Sequence, residues 1–90
     1  SYGLKPDELT LIRNLLQMHF GDIDDVKVYL FGSRAKETHK NYSDIDLAVK
    51  TKTKDINKRI SLFKESWEAS KLPYKVDITS WKELFKPYLP

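Results

Sequence analysis

Leu30-Phe31-Gly32-Ser33-Arg34-Ala35-Lys36 and, with ten residues between Ser33 and Asp44, Ser43-Asp44-Ile45-Asp46-Leu47-Ala48-Val49 are the two pieces on which the reading of this chain turns. Leading into the first, Val26, Val28 and Leu30 alternate with Lys27, Tyr29 and Phe31. This period of two, rich in β-branched and aromatic residues, predicts a strand that ends at Gly32. Ser33 to Lys36 reads as the start of a short helix, so backbone N–H groups would face whatever lies beyond the strand, and an anion is the natural occupant. Gly32 lets an anion approach without a Cβ in the way, Ser33 supplies a hydroxyl, and Arg34 and Lys36 add charge-assisted contacts. Taken alone, the pair also fits a tight turn with a serine cap. It is not the Gly-x-x-x-x-Gly-Lys-Ser/Thr phosphate loop, because the Lys and the second Gly are missing.

In the second piece Ile45, Leu47 and Val49 alternate with Asp44, Asp46 and Ala48, which predicts another strand. Two carboxylates two positions apart on a strand project from one face, roughly 6 to 7 Å apart along it. Their neighbours Ile45 and Leu47 then face the core. Asp77 repeats the arrangement between Val76 and Ile78. If these two strands are neighbours, three acidic groups meet on one sheet face, where repulsion opposes full ionisation unless a divalent cation compensates. Oxygen ligands of this kind suit Mg²⁺ or Mn²⁺. An isolated Asp-x-Asp also fits a merely wet, polar sheet face; the third acidic strand position argues for a site.

Working outward, Leu9, Ile12, Leu15, Leu16 and His19/Phe20 recur at helical spacing from Pro6 to Phe20, with Asp7 and Glu8 in the first turn and Gly21 at the end. Within Asp55 to Ser70, Ile56, Ile60, Phe63 and Trp67 form one stripe of a second long helix, which Pro73 bounds. Val76 to Ile78 is a short third strand. Ser80 with Glu83 has capping-box spacing for a last helix carrying Trp81, Leu84 and Phe85. Glu37 to Ser43 reads as loop, and the Lys86 to Pro90 tail is unsuited to further helix. The order helix, strand, short helix, strand, helix, strand, helix predicts one α/β or α+β layered unit, a single domain over residues 1–90.

The 90 residues are 40% hydrophobic, 12% aromatic and 32% charged, with a formal net charge of +3, which suits one small core and leaves no room for a second domain. Without cysteine there are no disulfides, thiolate metal sites or thiol nucleophiles. No apolar run is long enough to span a bilayer, so a soluble, cytoplasmic chain is expected. His19 and His39 lack partners at metal-ligand spacing. Lys50, Lys52 and Lys54 read as a solvated strand exit, Asp22, Asp24 and Asp25 as a solvated turn, and Trp67 and Trp81 as core. Tyr42, Ser43 and Tyr74 lie near the acidic positions in sequence and fit either a ligand contact or a structural role.

The joint pattern of Gly32-Ser33, ten residues, Asp44-x-Asp46 and a later strand Asp77 resembles the minimal nucleotidyltransferases of the DNA polymerase β-like superfamily, from the leading helix to the Val76-Asp77-Ile78 strand. The resemblance implies that superfamily's fold, a small mixed sheet of three to four strands flanked by helices. It implies that Gly32 and Ser33 hold a nucleoside triphosphate, with Arg34 and Lys36 beside them. It also implies that Asp44 and Asp46 ligate two Mg²⁺ ions, with Mn²⁺ as an alternative, and that Asp77 is the third carboxylate, sharing the catalytic metal and helping to activate the acceptor hydroxyl. Glu37 departs from the glycine that related sequences often carry there. The implied reaction is transfer of AMP from ATP to a hydroxyl. Minimal members often pair with small all-helical HEPN-type proteins, and some act as antitoxins by modifying a tyrosine of that partner, so a hetero-oligomer is expected. The alternatives are a non-catalytic nucleotide-binding subunit that neutralises its partner sterically, and transfer to a small molecule. Sequence-specific DNA binding is not expected, since neither a helix-turn-helix pattern nor a concentrated basic helix is present.

Overall fold

The computed structural model describes residues 2–36 and 42–88. Glu37, His39 and the last two residues of the tail lie outside them. The elements are α1 (Pro6–Phe20), β1 (Lys27–Phe31), β2 (Ile45–Lys50), α2 (Ile56–Glu68), β3 (Val76–Ser80) and α3 (Trp81–Phe85), and a 3-10 turn over Lys86–Tyr88 follows α3. Pro6 opens α1 at a position where its missing N–H costs nothing. Glu8 reaches back to accept a hydrogen bond from the Lys5 backbone N–H at 2.8 Å. Ser80 caps α3 by accepting from the Glu83 N–H at 3.3 Å, as its spacing predicts.

The three strands form one sheet in the order β1-β2-β3. β1 pairs antiparallel with β2, and β3, reached through the α2 crossover, pairs parallel with it. The acid-bearing β2 therefore occupies the centre, and β3 continues two residues past the predicted Ile78. The alternation in β2 sends Ile45, Leu47 and Val49 to one face, where Ile12, Leu15 and Phe20 of α1 and Ile60, Phe63 and Trp67 of α2 bury them together with Ile78. Phe63 is fully buried, with its ring 5.5 Å from Phe20 and 5.8 Å from Trp67. The buried Trp67 indole N–H donates to the Tyr74 carbonyl at 2.8 Å and so ties the end of α2 to the approach to β3.

On the opposite face, the register brings Tyr29 beside Ala48 and Ala48 beside Thr79. Here α3 folds back onto β2 and β3. Trp81 packs between Tyr29 at 5.0 Å and Phe85 at 4.6 Å, so it is a half-buried clamp and not the core residue the sequence suggests. One half of this face is thereby covered. The other half carries Phe31, Asp46 and Asp77 in register.

No helix forms at Ser33. Residues 32–36 make a turn closed by the Lys36 N–H to the Gly32 carbonyl at a long 3.4 Å, so no helix terminus faces the site. The turn is possible because Gly32 sits at φ +76°, in the left-handed region that favours glycine. The Asp22 to Asp25 turn is not simply solvated either. Asp22 pairs with Arg59 of α2, and Asp25 accepts from the Thr51 hydroxyl and the Lys52 N–H, both at 2.8 Å. These bonds hold the Asp22 and Asp25 carboxyls below the usual range.

Candidate active site

Asp46 is the residue around which the candidate site is built. As a central-strand residue it has a neighbour on each side, Phe31 on β1 and Asp77 on β3. Adjacent strands lie about 4.8 Å apart, so Asp46 and Asp77 emerge side by side from the same face. Asp44 precedes β2 by one residue, and its charge is felt at Asp46. Asp44 and Asp77 are exposed and Asp46 is half-buried. Burial raises the Asp46 carboxyl above its usual value, and the neighbouring charges of Asp77 and then Asp44 raise it further. Asp46 and Asp77 are thus brought side by side at one end of one sheet face, with Asp44 one residue before that end of β2.

Gly32 comes from the far end of β1 onto the same spot. A Cβ built on it would lie 2.5 Å from the Asp46 Oδ2 atom. The turn backbone therefore rests directly against the carboxylate, and any side chain there would occupy the space beside Asp46. Ser33 is half-buried next to it, and Lys36 is exposed at the end of the turn.

Arg34 is placed otherwise than the sequence suggests. It is 1% exposed, although an arginine in such a turn is expected to face an anion. Its Nε donates to the Ser43 carbonyl at 3.0 Å, its Nη1 donates to the Tyr2 carbonyl at 2.9 Å, and its guanidinium carbon stands 4.5 Å from the Tyr74 ring centre. A guanidinium so buried must spend its donors inside, because an unpaired buried charge is very costly. Arg34 is thus turned inward and does not face an anion at the turn, as the sequence suggests it would.

Tyr74 resolves to a structural role. Its hydroxyl donates to Glu8 at 2.8 Å, and burial together with the Glu8 contact pushes its ionisation up. Tyr42 is exposed, with its ring 6.1 Å from Tyr74. The Glu8, Arg34 and Tyr74 cluster escapes sequence reasoning because its members stand 26 and 40 positions apart and belong to no local pattern. His19 packs against Phe63 and shares a hydrogen bond with the Ser66 hydroxyl at 2.8 Å.

Among the described residues, no three His, Cys, Asp or Glu side chains are drawn close enough together to hold an ion in common. The donor chemistry nevertheless fits a hard divalent cation. Carboxylates crowd one face, and the central one has its ionised form disfavoured by burial and by its neighbours, a cost that a bound cation would offset. The larger cavities lie elsewhere, about 570 Å³ between the C-terminal end of α1 and α2 and about 470 Å³ beside Trp81 at the other end of the sheet. No helix among the described residues is long and apolar enough to cross a membrane.

Comparison with known proteins agrees with this geometry. Residues 12–89 match the family described as polymerase beta, nucleotidyltransferase. Over 79 residues the chain is 38% identical to a probable protein adenylyltransferase MntA of Haemophilus influenzae, an alignment covering 87% of this chain and 66% of that protein. The chain thus spans just under two thirds of the length of the curated relative it matches.

Proposed function

Because the chain belongs to the polymerase β-type nucleotidyltransferase family, we propose that it transfers AMP from ATP to a hydroxyl of another protein, with release of pyrophosphate. The acceptor in this reading is a tyrosine of a small all-helical HEPN-type partner, and the protein acts as that partner's antitoxin in the cytoplasm. The similarity to a probable protein adenylyltransferase supports a protein acceptor. The observation that carries the reaction type is the register of Asp46 with Asp77, with the Gly32 turn resting on Asp46.

In this reading Asp44 and Asp46 hold Mg²⁺ and Asp77 shares it. Bound there, divalent cations neutralise the triphosphate and the departing pyrophosphate and lower the pKa of the acceptor hydroxyl. The chain's own groups do the rest. Gly32 lets the turn backbone lie against Asp46, Ser33 and Lys36 of that turn contact the triphosphate, and Asp77 stands beside Asp46 to accept the acceptor's proton. Phe31, on the other side of Asp46, walls the site toward β1.

The test is incubation with α-labelled ATP, Mg²⁺ and a lysate of the source cell, followed by a denaturing gel, alongside an Asp44→Asn/Asp46→Asn variant. One labelled protein band that disappears with the variant is the expected outcome. A band that persists with the variant overturns the assignment of the carboxylates. Absence of any label shifts the reading to a small-molecule acceptor or a purely steric role.

A further inference from the structure

Arg34 makes its contacts where the loop returns to the acidic strand. The Ser43 carbonyl that it holds belongs to the same planar peptide unit as the Asp44 nitrogen. Fixing that oxygen fixes the plane from which Asp44 departs. The residue before Ser43, Tyr42, has φ +62°, a conformation that costs a non-glycine residue free energy and persists only where its surroundings impose it. On the other side of Asp44, the Ile45 N–H donates to the Lys75 carbonyl at 2.9 Å and starts the β2–β3 ladder. Asp44 therefore sits between two held peptide groups, one by the sheet and one by Arg34.

The arginine is itself held. Its second donor ends on the Tyr2 carbonyl, and its guanidinium carbon stands over the ring of Tyr74, whose hydroxyl is bonded to Glu8 and whose carbonyl is bonded to Trp67. The Arg34 charge in turn helps to lower the Glu8 carboxyl, so the two charges sense one another across the ring. Only a rigid planar fork can serve two carbonyls in different directions and stack on an aromatic face at once; a lysine ammonium offers a point charge in their place.

We infer that Arg34 is a positioning residue for the metal-holding carboxylate Asp44, acting through the Ser43 carbonyl and braced by Tyr74, Glu8 and the N-terminal backbone at Tyr2. The inference rests on the nucleotidyl-transfer reading, in which Asp44 is a ligand. Residues that orient metal ligands typically contribute about 10- to 100-fold to metal affinity.

The experiment is Mn²⁺ titration of the full chain, followed by electron paramagnetic resonance, for the parent, Arg34→Lys, Tyr74→Leu and Leu15→Ala. Leu15 is a buried core residue on α1, seven positions beyond Glu8, and serves as a control for lost stability. Arg34→Lys is expected to weaken Mn²⁺ binding about tenfold or more. Tyr74→Leu, which leaves both Arg34 hydrogen bonds in place, is expected to weaken it by less. Leu15→Ala should leave the affinity unchanged at temperatures where it is folded. In transfer assays, saturating Mg²⁺ should restore the Arg34→Lys kcat. Parental Mn²⁺ affinity in Arg34→Lys, or an equal loss in Leu15→Ala, overturns the positioning role and leaves the nucleotidyl reading standing. If Arg34→Lys does not fold, unchanged affinity in Tyr74→Leu overturns the inference instead. Failure of the parent itself to bind Mn²⁺ overturns the nucleotidyl reading, and the inference with it.

Discussion

At the scale of single residues, Gly32 and Glu8 illustrate two ways in which one side chain decides the state of a small domain. Gly32 combines a φ of +76° with a backbone that touches the Asp46 carboxylate, so a methyl group there meets both a conformational and a steric penalty. Gly32→Ala should cost about 1 to 3 kcal/mol, lower the midpoint of thermal unfolding measured by circular dichroism, and abolish transfer even where the variant is folded. Glu8 caps α1 and accepts from Tyr74, and its carboxyl lies below the usual 4.5, first because of the Lys5 N–H and further because of the Tyr74 hydroxyl. Its ionised form is the one the fold prefers. That contribution is complete above 4.5 and is lost as the pH falls through the lowered value, since the unfolded chain takes up the proton first. Glu8→Gln should therefore unfold earlier than the parent at pH 7, and the gap should narrow in thermal scans taken below pH 4.5. Gly32, Ser33, Asp44, Asp46 and Asp77 could be singled out from the sequence because each sits in a local pattern of strand, turn or alternation. Arg34 was misread for the converse reason. Its sequence neighbours place it beside an anion, whereas its partners Tyr2, Ser43 and Tyr74 come from three separate segments.

At the scale of elements, the long helices and the central strand were readable because amphipathic periodicity is a local record of burial. The stripe Ile60, Phe63, Trp67 of α2 meets Ile12, Leu15 and Phe20 of α1 over the strand residues Ile45, Leu47 and Val49. Phe63 lies at the middle of this contact, touching Phe20, Trp67 and His19. Phe63→Ala should cost about 3 to 5 kcal/mol, a large share of the total stability of a domain this size, and urea denaturation should show it largely or wholly unfolded at 37 °C. Shorter elements were less legible. The helix expected at Ser33 is a single turn, because one long hydrogen bond at 3.4 Å does not propagate from a left-handed glycine. Trp81, expected in the core, instead clamps the far half of the second sheet face with Tyr29 and Phe85, under the Lys50 ammonium 5.1 Å from its ring. A five-residue helix has too little periodicity to declare which face it buries.

At the scale of the whole molecule, the sheet divides its labour between two faces and, on the second face, between two ends. One face holds the apolar core, one end of the other is closed by α3, and the remaining end presents the acids. A protein that concentrates like charges at one end without a cation carries a standing destabilisation there, and a divalent cation binding only the folded state should reverse it. At a free Mn²⁺ concentration about 100 times its Kd, linkage predicts a gain of about 2.7 kcal/mol, read as a rise of roughly ten degrees or more in the unfolding midpoint. The Asp44→Asn/Asp46→Asn variant should unfold at the same temperature with and without the metal. By itself the sequence determined the two long helices, the two acid-bearing strands, the glycine turn and the nucleotidyltransferase family, because each is written in residues close together along the chain. Only the tertiary structure decided the strand order that puts Asp46 beside Asp77, the contact of Gly32 with Asp46, and the withdrawal of Arg34 into a cluster with Tyr74 and Glu8. Those are pairings between distant segments, set by which surfaces bury one another, and no local period encodes them.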